Sequence, residues 1–147
     1  ENIMKIRKQF KIKGIRFDQK PVDGYFSYEQ AIEYAKSVGK ELISEKDMEM
    51  LLLLPRKLIK DALYIAEKDI WLDDPNRRIE LPKLGYYDQS SSIERLTLDK
   101  VEGCYWLQNA NPKPTGNQPY LCFQSENKIM IYYSVPSYGQ SILLKTP

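Results

Sequence analysis

The chain has 147 residues, with 22 lysine and arginine side chains against 20 aspartate and glutamate side chains and a formal net charge of +2. It has no histidine and only two cysteines, so it lacks the commonest general base near neutral pH and cannot build a zinc site of four cysteine or histidine ligands. We therefore expect no catalysis, no cofactor and no bound metal. The absence of a run of about 18 apolar residues also argues against a membrane span.

The basic charge is concentrated at the N-terminus. Residues 1–20 carry seven lysine or arginine side chains and two carboxylates, a net charge of +5 that leaves −3 for the remainder. We assign residues 1–20 to a basic N-terminal arm or strand and residues 21–147 to the main domain. A basic arm suits nucleic acid, an acidic partner or an anionic surface, but the plainer interpretation is an edge strand whose lysines discourage pairing. We do not expect nucleic acid to be the partner.

Apolar and charged residues alternate within this arm. Phe10 and Ile12 are separated by one residue, as are Ile15 and Phe17, and the register shifts at Gly14. This pattern predicts one strand with a bulge or kink at the glycine.

A first helix is predicted after residue 26. Ser27 and Gln30 have the spacing of a capping box, an apolar stripe follows, and Gly39 ends the segment.

A second helix begins after Ser44, with Asp47 at the matching capping position, and Pro55 interrupts it. The apolar spacing over residues 57–66 predicts a further helical turn or two.

From residue 69 onward, short apolar runs alternate with turn residues, a texture typical of closely spaced strands. The predicted strands cover residues 70–72, 79–81, 103–107, 120–123, 129–133 and 141–144. Helices early in the chain and strands late in it indicate the α+β class.

The last 45 residues are poor in charge. Residues 103–147 hold only Lys113, Glu126, Lys128 and Lys145 as charged side chains, and are rich in tyrosine, asparagine and glutamine. Tyrosine offers a rigid ring, and amides offer adaptable hydrogen bonds, so this composition favours a recognition surface over a catalytic one. The candidate ligand-binding residues are Gln108, Asn109, Asn111, Asn117, Gln118, Tyr120, Gln124, Tyr133 and Tyr138.

Cys104 and Cys122 fall on two predicted neighbouring strands, at positions that a symmetric hairpin would place opposite each other. A disulfide and a pair of buried free thiols are equally compatible with the sequence.

Several oxygen ligands cluster in predicted turns. Asp73, Asp74 and Asn76 lie in one turn, and Asp88 and Gln89 lie near another. Calcium would use such ligands, but a plain Asp-Asp-Pro-Asn turn is the more frequent meaning of the pattern. Trp71 and Trp106 have apolar neighbours and are predicted to be core aromatics.

The order of motifs resembles that of C-type-lectin-like domains, in the branch of formylglycine-generating-enzyme-like proteins, bacterial major-paralogous-domain proteins and variable proteins of diversity-generating retroelements. The motifs that carry the resemblance are residues 26–42, 81–88, 103–106, 120–123 and 137–142. Gln140 and Leu143 depart from the branch's usual phenylalanine and arginine. The resemblance implies a C-type-lectin-like domain with two main helices packed on a twisted, mainly antiparallel sheet with long loops.

The resemblance and the low-charge strands together predict a non-catalytic recognition module for a protein or glycan partner. The alternative is a structural or decoration protein of a larger assembly, such as a virion or a surface appendage, attached by its basic arm. Either function favours an extracellular, cell-surface or virion location and permits a homo-oligomer. An enzymatic role like that of the formylglycine-generating relatives is disfavoured, because histidine and their cysteine spacing are missing.

Overall fold

The computed structural model describes residues 8–88, 95–110 and 116–147, in which twelve short strands and only two α-helices occur. The strands form four small antiparallel sheets. The predicted architecture of two main helices packed on a C-type-lectin-like sheet is therefore wrong. The helices are short, and most of the regular structure consists of strands from both the early and the late parts of the chain.

The first sheet joins the two ends of the described chain. Its order is β1 (Gln9–Ile12), β2 (Ile15–Asp18), β12 (Leu144–Thr146) and β3 (Glu41–Leu42). The last strand thus lies between the N-terminal hairpin and a strand from the middle of the chain.

The N-terminal strands form a tight hairpin, whereas the sequence predicted one strand kinked at Gly14. Lys13 and Gly14 both have positive φ angles, 50° and 84°, and Ile12 pairs with Ile15. A two-residue turn with two positive φ angles matches the twist of antiparallel strands. The basic residues up to position 7 lie outside the described residues.

Both predicted capped helices are present. In α1 (Tyr28–Ser37) the Ser27 and Gln30 side chains bond reciprocally to each other's backbone N–H groups. In α2 (Glu45–Leu51) Ser44 and Asp47 do the same. Each cap satisfies two backbone donors at the helix start.

The segment predicted as a third helix is instead a hairpin. Strands β4 (Arg56–Ile59) and β5 (Ala62–Ile65) pair across Lys60, whose φ is +53°, and β6 (Ile79–Pro82) completes a three-stranded sheet. The apolar residues of this short segment fit a helical period as well as an alternating one, and pairing with β6 decides between the two.

The strand predicted at residues 70–72 is also wrong. Asp69–Trp71 forms a 3₁₀ turn in which Ile70 is 77% exposed. Trp71 is half-buried, with the Lys68 ammonium and the Arg77 guanidinium lying within 5 Å of its ring centre, so it is not a core aromatic. The core prediction holds for Trp106, which is fully buried.

A further three-stranded sheet has β10 (Gln118–Ser125) at its centre, between β9 (Gly103–Trp106) and β11 (Lys128–Ser134). Strands β7 (Tyr86–Asp88) and β8 (Arg95–Thr97) form the fourth, two-stranded sheet. These positions confirm the strands predicted at residues 79–81, 103–107, 120–123 and 129–133. Only the last residue of the segment predicted at 141–144 lies in a strand, although Ser141 makes a bridge to Tyr105.

The core lies between the sheets in two clusters. The larger contains Leu63 and Ile65 of β5 and Leu121 and Phe123 of β10, together with apolar residues of α2. The smaller packs α1 against Trp106 and β12. Within the described residues, no helix is long and apolar enough to cross a membrane.

Candidate functional site

The sheet of β9, β10 and β11 has one buried face and one partly open face. Alternation places Leu121 and Phe123 in the core. The opposite face presents Tyr120, Cys122 and Gln124 of β10 beside Met130 and Tyr132 of β11. We call these five side chains the platform. Met130 is 52% exposed and Tyr132 is 45% exposed.

A row of aromatic rings connects the platform to the first helix. Tyr28 contacts Trp106 edge-on with ring centres 5.3 Å apart, and Trp106 contacts Tyr120 in the same way at 6.2 Å. Tyr120 lies 6.1 Å from Tyr132. Because each ring packs against the next, the exposed Tyr132 continues a rigid row that begins in the core.

A buried carboxylate contacts one end of the platform. Glu102 is only 8% exposed, and its Oε1 accepts hydrogen bonds from the Cys122 thiol at 2.7 Å and the Cys104 thiol at 3.4 Å. Its Oε2 accepts from the Gln124 amide at 3.0 Å. Lys83, also buried, donates to the Gln124 carbonyl at 2.7 Å. This arrangement fixes the polar part of the platform.

The two cysteines pair directly across β9 and β10, as their positions predicted, and both are free thiols. The hydrogen bond with Cys122, burial and the negative charge of Glu102 raise the pKa of the Cys104 thiol. Cys104 is therefore suited to donating its proton in a hydrogen bond and poorly suited to nucleophilic attack, which requires a thiolate. In the described residues, no group of three cysteine, aspartate or glutamate side chains is arranged to hold a metal ion.

A stacked tyrosine pair borders the platform. The rings of Tyr86 and Tyr138 are nearly parallel, with centres 5.7 Å apart. Burial raises the pKa of Tyr86, followed by the charges of Asp88 and of the cysteine and glutamate cluster. Burial likewise raises the pKa of Tyr120. These phenols stay neutral hydrogen-bonding groups at physiological pH.

Four predicted binding residues lie at the end of the sheet away from Gln124. Gln118 is buried, and its amide oxygen accepts from the Asn109 side chain at 3.2 Å. The Asn109 backbone N–H donates to the Tyr28 hydroxyl, and Gln108 bridges to Ser44 through the backbone. Gln108, Asn109 and Gln118 are thus held by contacts within the fold, whereas Asn117 is exposed. The predicted residue Asn111 lies outside the described residues.

The predicted set therefore divides. Tyr120, Gln124 and Tyr138 lie on or beside the platform, but Tyr133 is on the opposite face of β11, where its hydroxyl donates to Glu45 at 3.0 Å. Tyr132 and Tyr133 lie on opposite faces of β11, and both are exposed.

Sequence reasoning missed Met130, Tyr132 and Glu102. The alternation of side chains along β11 was a usable signal for Met130 and Tyr132, since they pair with Cys122 and Tyr120.

A cavity on another part of the surface is a less suitable site. It measures about 570 Å³ and lies between the segment 19–25 and Leu84. Its polar rim is engaged in contacts within the chain: Lys8 donates to Asn76, and Lys20 pairs with Glu80 at 3.9 Å.

The turn considered for calcium is stabilised by its own contacts. The Asp74 carboxylate accepts from the Asn76 backbone N–H at 2.9 Å and lies 3.7 Å from Arg77. Asp73 pairs with Lys57. The other candidate, Asp88, ends β7, and Gln89 lies outside the described residues.

Comparison of the chain with models of known protein families, with curated proteins and with solved structures gave no match.

Proposed function

We propose that the protein is a non-catalytic recognition module that binds a protein partner through the platform. The observation that carries the proposal is the exposed continuation of a buried aromatic row. Tyr132 and Met130 protrude beside Tyr120, which is itself held against Trp106. Exposed apolar side chains on a rigid support are typical of binding surfaces.

The composition of the platform favours a protein partner. Protein interfaces are enriched in tyrosine and methionine and depleted of charge at their centre. The platform consists of two tyrosines, a methionine, a cysteine and a glutamine, and the Glu102 carboxylate that contacts it is buried. We expect affinity to depend weakly on salt, because little charge is available for long-range attraction.

The critical experiment compares two tyrosines of one strand. Tyr132→Ala removes an exposed ring from the platform, and Tyr133→Ala removes a similarly exposed ring, 55% accessible, from the opposite face. Both variants should fold, because neither ring is buried. Partners are identified with a protein and glycan array of the unmodified chain, and affinities are then measured for both variants.

We expect Tyr132→Ala to weaken partner binding by about tenfold or more, as for a central aromatic contact, and Tyr133→Ala to bind normally. Equal affinity of both variants for the captured partner would contradict the placement of the site. Capture of glycans alone would contradict the choice of a protein partner.

A structural role in a larger assembly is the second candidate. It is favoured by the basic hairpin, where Lys11, Lys13 and Arg16 are exposed. Replacing these three side chains together, as Lys11→Gln, Lys13→Asn and Arg16→Gln, tests it, since the exposed positions can lose their charge without removing Ile12 from the core. Loss of assembly with retained partner binding would favour the structural role.

A further inference from the structure

Strand β11 forms an edge of its sheet, and this edge lacks the protection that other edges of the fold have. Edge strands normally carry charges, prolines or covering segments that prevent pairing with another chain. Edge strand β1 carries Lys11, and edge strand β4 begins with Arg56 and Lys57. The far edge of β9 is covered by Ser141, whose backbone bonds to Cys104 and Trp106.

In β11, by contrast, the only charge is Lys128 at its first residue. The following residues, 129–135, are Ile-Met-Ile-Tyr-Tyr-Ser-Val, an uncharged stretch of high β propensity. Among the described residues, β11 pairs only with β10.

The backbone register shows which groups of β11 point outward. The backbone N–H of Leu107, the residue that follows β9, donates to the carbonyl of Pro119 in β10. Leu107 and Pro119 are therefore a hydrogen-bonded pair in the ladder between β9 and β10. Because such pairs alternate along an antiparallel ladder, Leu121 also bonds towards β9, while Tyr120 and Cys122 bond towards β11. Their partners there are Tyr132 and Met130.

It follows that Ile129, Ile131 and Tyr133 direct their N–H and C=O groups away from β10. None of these three makes a backbone hydrogen bond to another element within the described part of the chain. They form a row of three donors and three acceptors at the open edge.

We propose that β11 pairs antiparallel with β11 of a second copy of the chain, centred on Ile131 opposite Ile131. This register joins all three outward residues, because Ile129 then lies opposite Tyr133 and forms hydrogen-bonded pairs in both directions. About six backbone hydrogen bonds result. Shifting the centre to Met130 leaves Tyr133 without a partner in the strand, and shifting it to Tyr132 requires Val135, which lies beyond the strand and precedes Pro136.

The same register is favourable for the side chains. Met130 lies opposite Tyr132 of the second copy, at a non-hydrogen-bonded position where side chains approach most closely. Contacts between methionine sulfur and an aromatic ring are favourable, and within one chain the Tyr132 hydroxyl already lies 3.0 Å from the Met130 sulfur. The two-fold axis stands perpendicular to the sheet, so both platforms face the same side of a continuous six-stranded sheet.

The pairing does not depend on the proposed recognition function, because its readout is molecular mass. Sedimentation analysis of the full chain between about 1 µM and about 1 mM should show a reversible monomer–dimer equilibrium with a Kd on the order of tens of micromolar. A chain that stays monomeric over this range would overturn the proposal.

A charge-swap pair tests the register. One variant combines Met130→Glu with Tyr132→Glu, and the other combines Met130→Lys with Tyr132→Lys. For each variant alone, the Kd of the dimer should rise by about tenfold or more, because like charges then face each other twice. An equimolar mixture of the two variants should form heterodimers. Circular dichroism of each variant verifies folding, which these exposed positions should permit.

Ile70→Glu is the matched control, since it places a charge on an exposed apolar side chain outside the sheet. It should dimerise like the unmodified chain. Dimers that persist in either charged variant, or monomeric variants whose mixture does not associate, would overturn the proposed register. Binding of an unrelated extended peptide along β11 of a chain that never self-associates would identify a different occupant and overturn the proposal as well.

Discussion

Cys104 and Cys122 lie directly opposite each other on neighbouring strands, and both thiols donate to the same carboxylate oxygen of Glu102. Oxidation to a disulfide would remove both S–H donors from that buried oxygen. Among the described side chains, the Gln124 amide would then be the donor that still bonds to this carboxylate. The reduced pair is thus integral to the polar support of the platform.

The first prediction concerns thiol reactivity. In the unmodified chain, modification of Cys104 by a small alkylating reagent should become fast only at a pH well above its ordinary pKa of 9.0, because the folded structure disfavours the thiolate. Glu102→Gln removes the neighbouring negative charge, so the pH midpoint of modification should shift downward. Mass spectrometry of the modified cysteine follows the reaction.

Glu49→Gln is the control, because Glu49 is an exposed carboxylate of α2. Coincident pH profiles for Glu102→Gln and the unmodified chain would show that the carboxylate does not govern the thiols.

The second prediction concerns acid stability. Burial raises the pKa of Asp47, but hydrogen bonds from Lys145 and Ser44 outweigh it and hold the pKa below its ordinary value of 3.8. A carboxylate with a depressed folded pKa stabilises the fold at neutral pH, and this stabilisation is lost as the pH falls below about 4. Asp47→Asn should therefore cost about 1–3 kcal/mol of unfolding free energy at neutral pH and progressively less in acid.

Urea unfolding at neutral pH and in acid measures this difference. A cost that stays constant between the two conditions would mean that the Asp47 charge is not the stabilising feature.

The third prediction concerns close packing at Gly103. A Cβ atom built there would lie 2.2 Å from Cζ of the Phe123 ring, which is itself fully buried. Gly103→Ala should therefore destabilise the fold by about 3 kcal/mol through overpacking. Combining it with Phe123→Leu should cost less than the sum of the two single changes, because the smaller side chain removes the clash. Additive costs in urea unfolding would exclude the clash as the cause.

The fourth prediction is a gain in stability. The Ser141 hydroxyl is fully buried and has no hydrogen-bond partner within the described residues. Ser141→Ala should raise the unfolding free energy by about 1 kcal/mol, because a buried unpaired hydroxyl is costly and the backbone bonds to β9 remain. Ser137→Ala, at an exposed position, should leave the unfolding midpoint unchanged. A loss of stability in Ser141→Ala would show that the hydroxyl has a partner.

Features encoded by neighbouring residues could be predicted from the sequence. The capping pairs of Ser27 and Ser44 lie three residues from their partners, and the alternation of β10 is local. The hairpin over residues 56–65 could not be predicted in this way, because its apolar residues satisfy two periods. The choice between them depends on Leu63 pairing with Leu81, 18 positions away.

The same limit applies to the candidate site. Tyrosine and glutamine enrichment indicated β10 and β11, but which of Tyr132 and Tyr133 lies beside Tyr120 depends on the register of β11, which has a bulge between Phe123 and Ser125. Glu102 carries no recognisable motif, and its burial arises only when β9 and β10 bring two thiols and an amide around it. The predicted lectin-like architecture rested on short motifs, which specify no strand pairing.

Strand β12 imposes an order of events on synthesis. It lies between β2 and β3, so both of these strands lack their common neighbour until residues 144–146 have left the ribosome. Pairing over so long a stretch of chain carries a large loop-closure entropy and slows folding. The first sheet can therefore be completed only after Thr146 has emerged, whatever the order in which the other three sheets form.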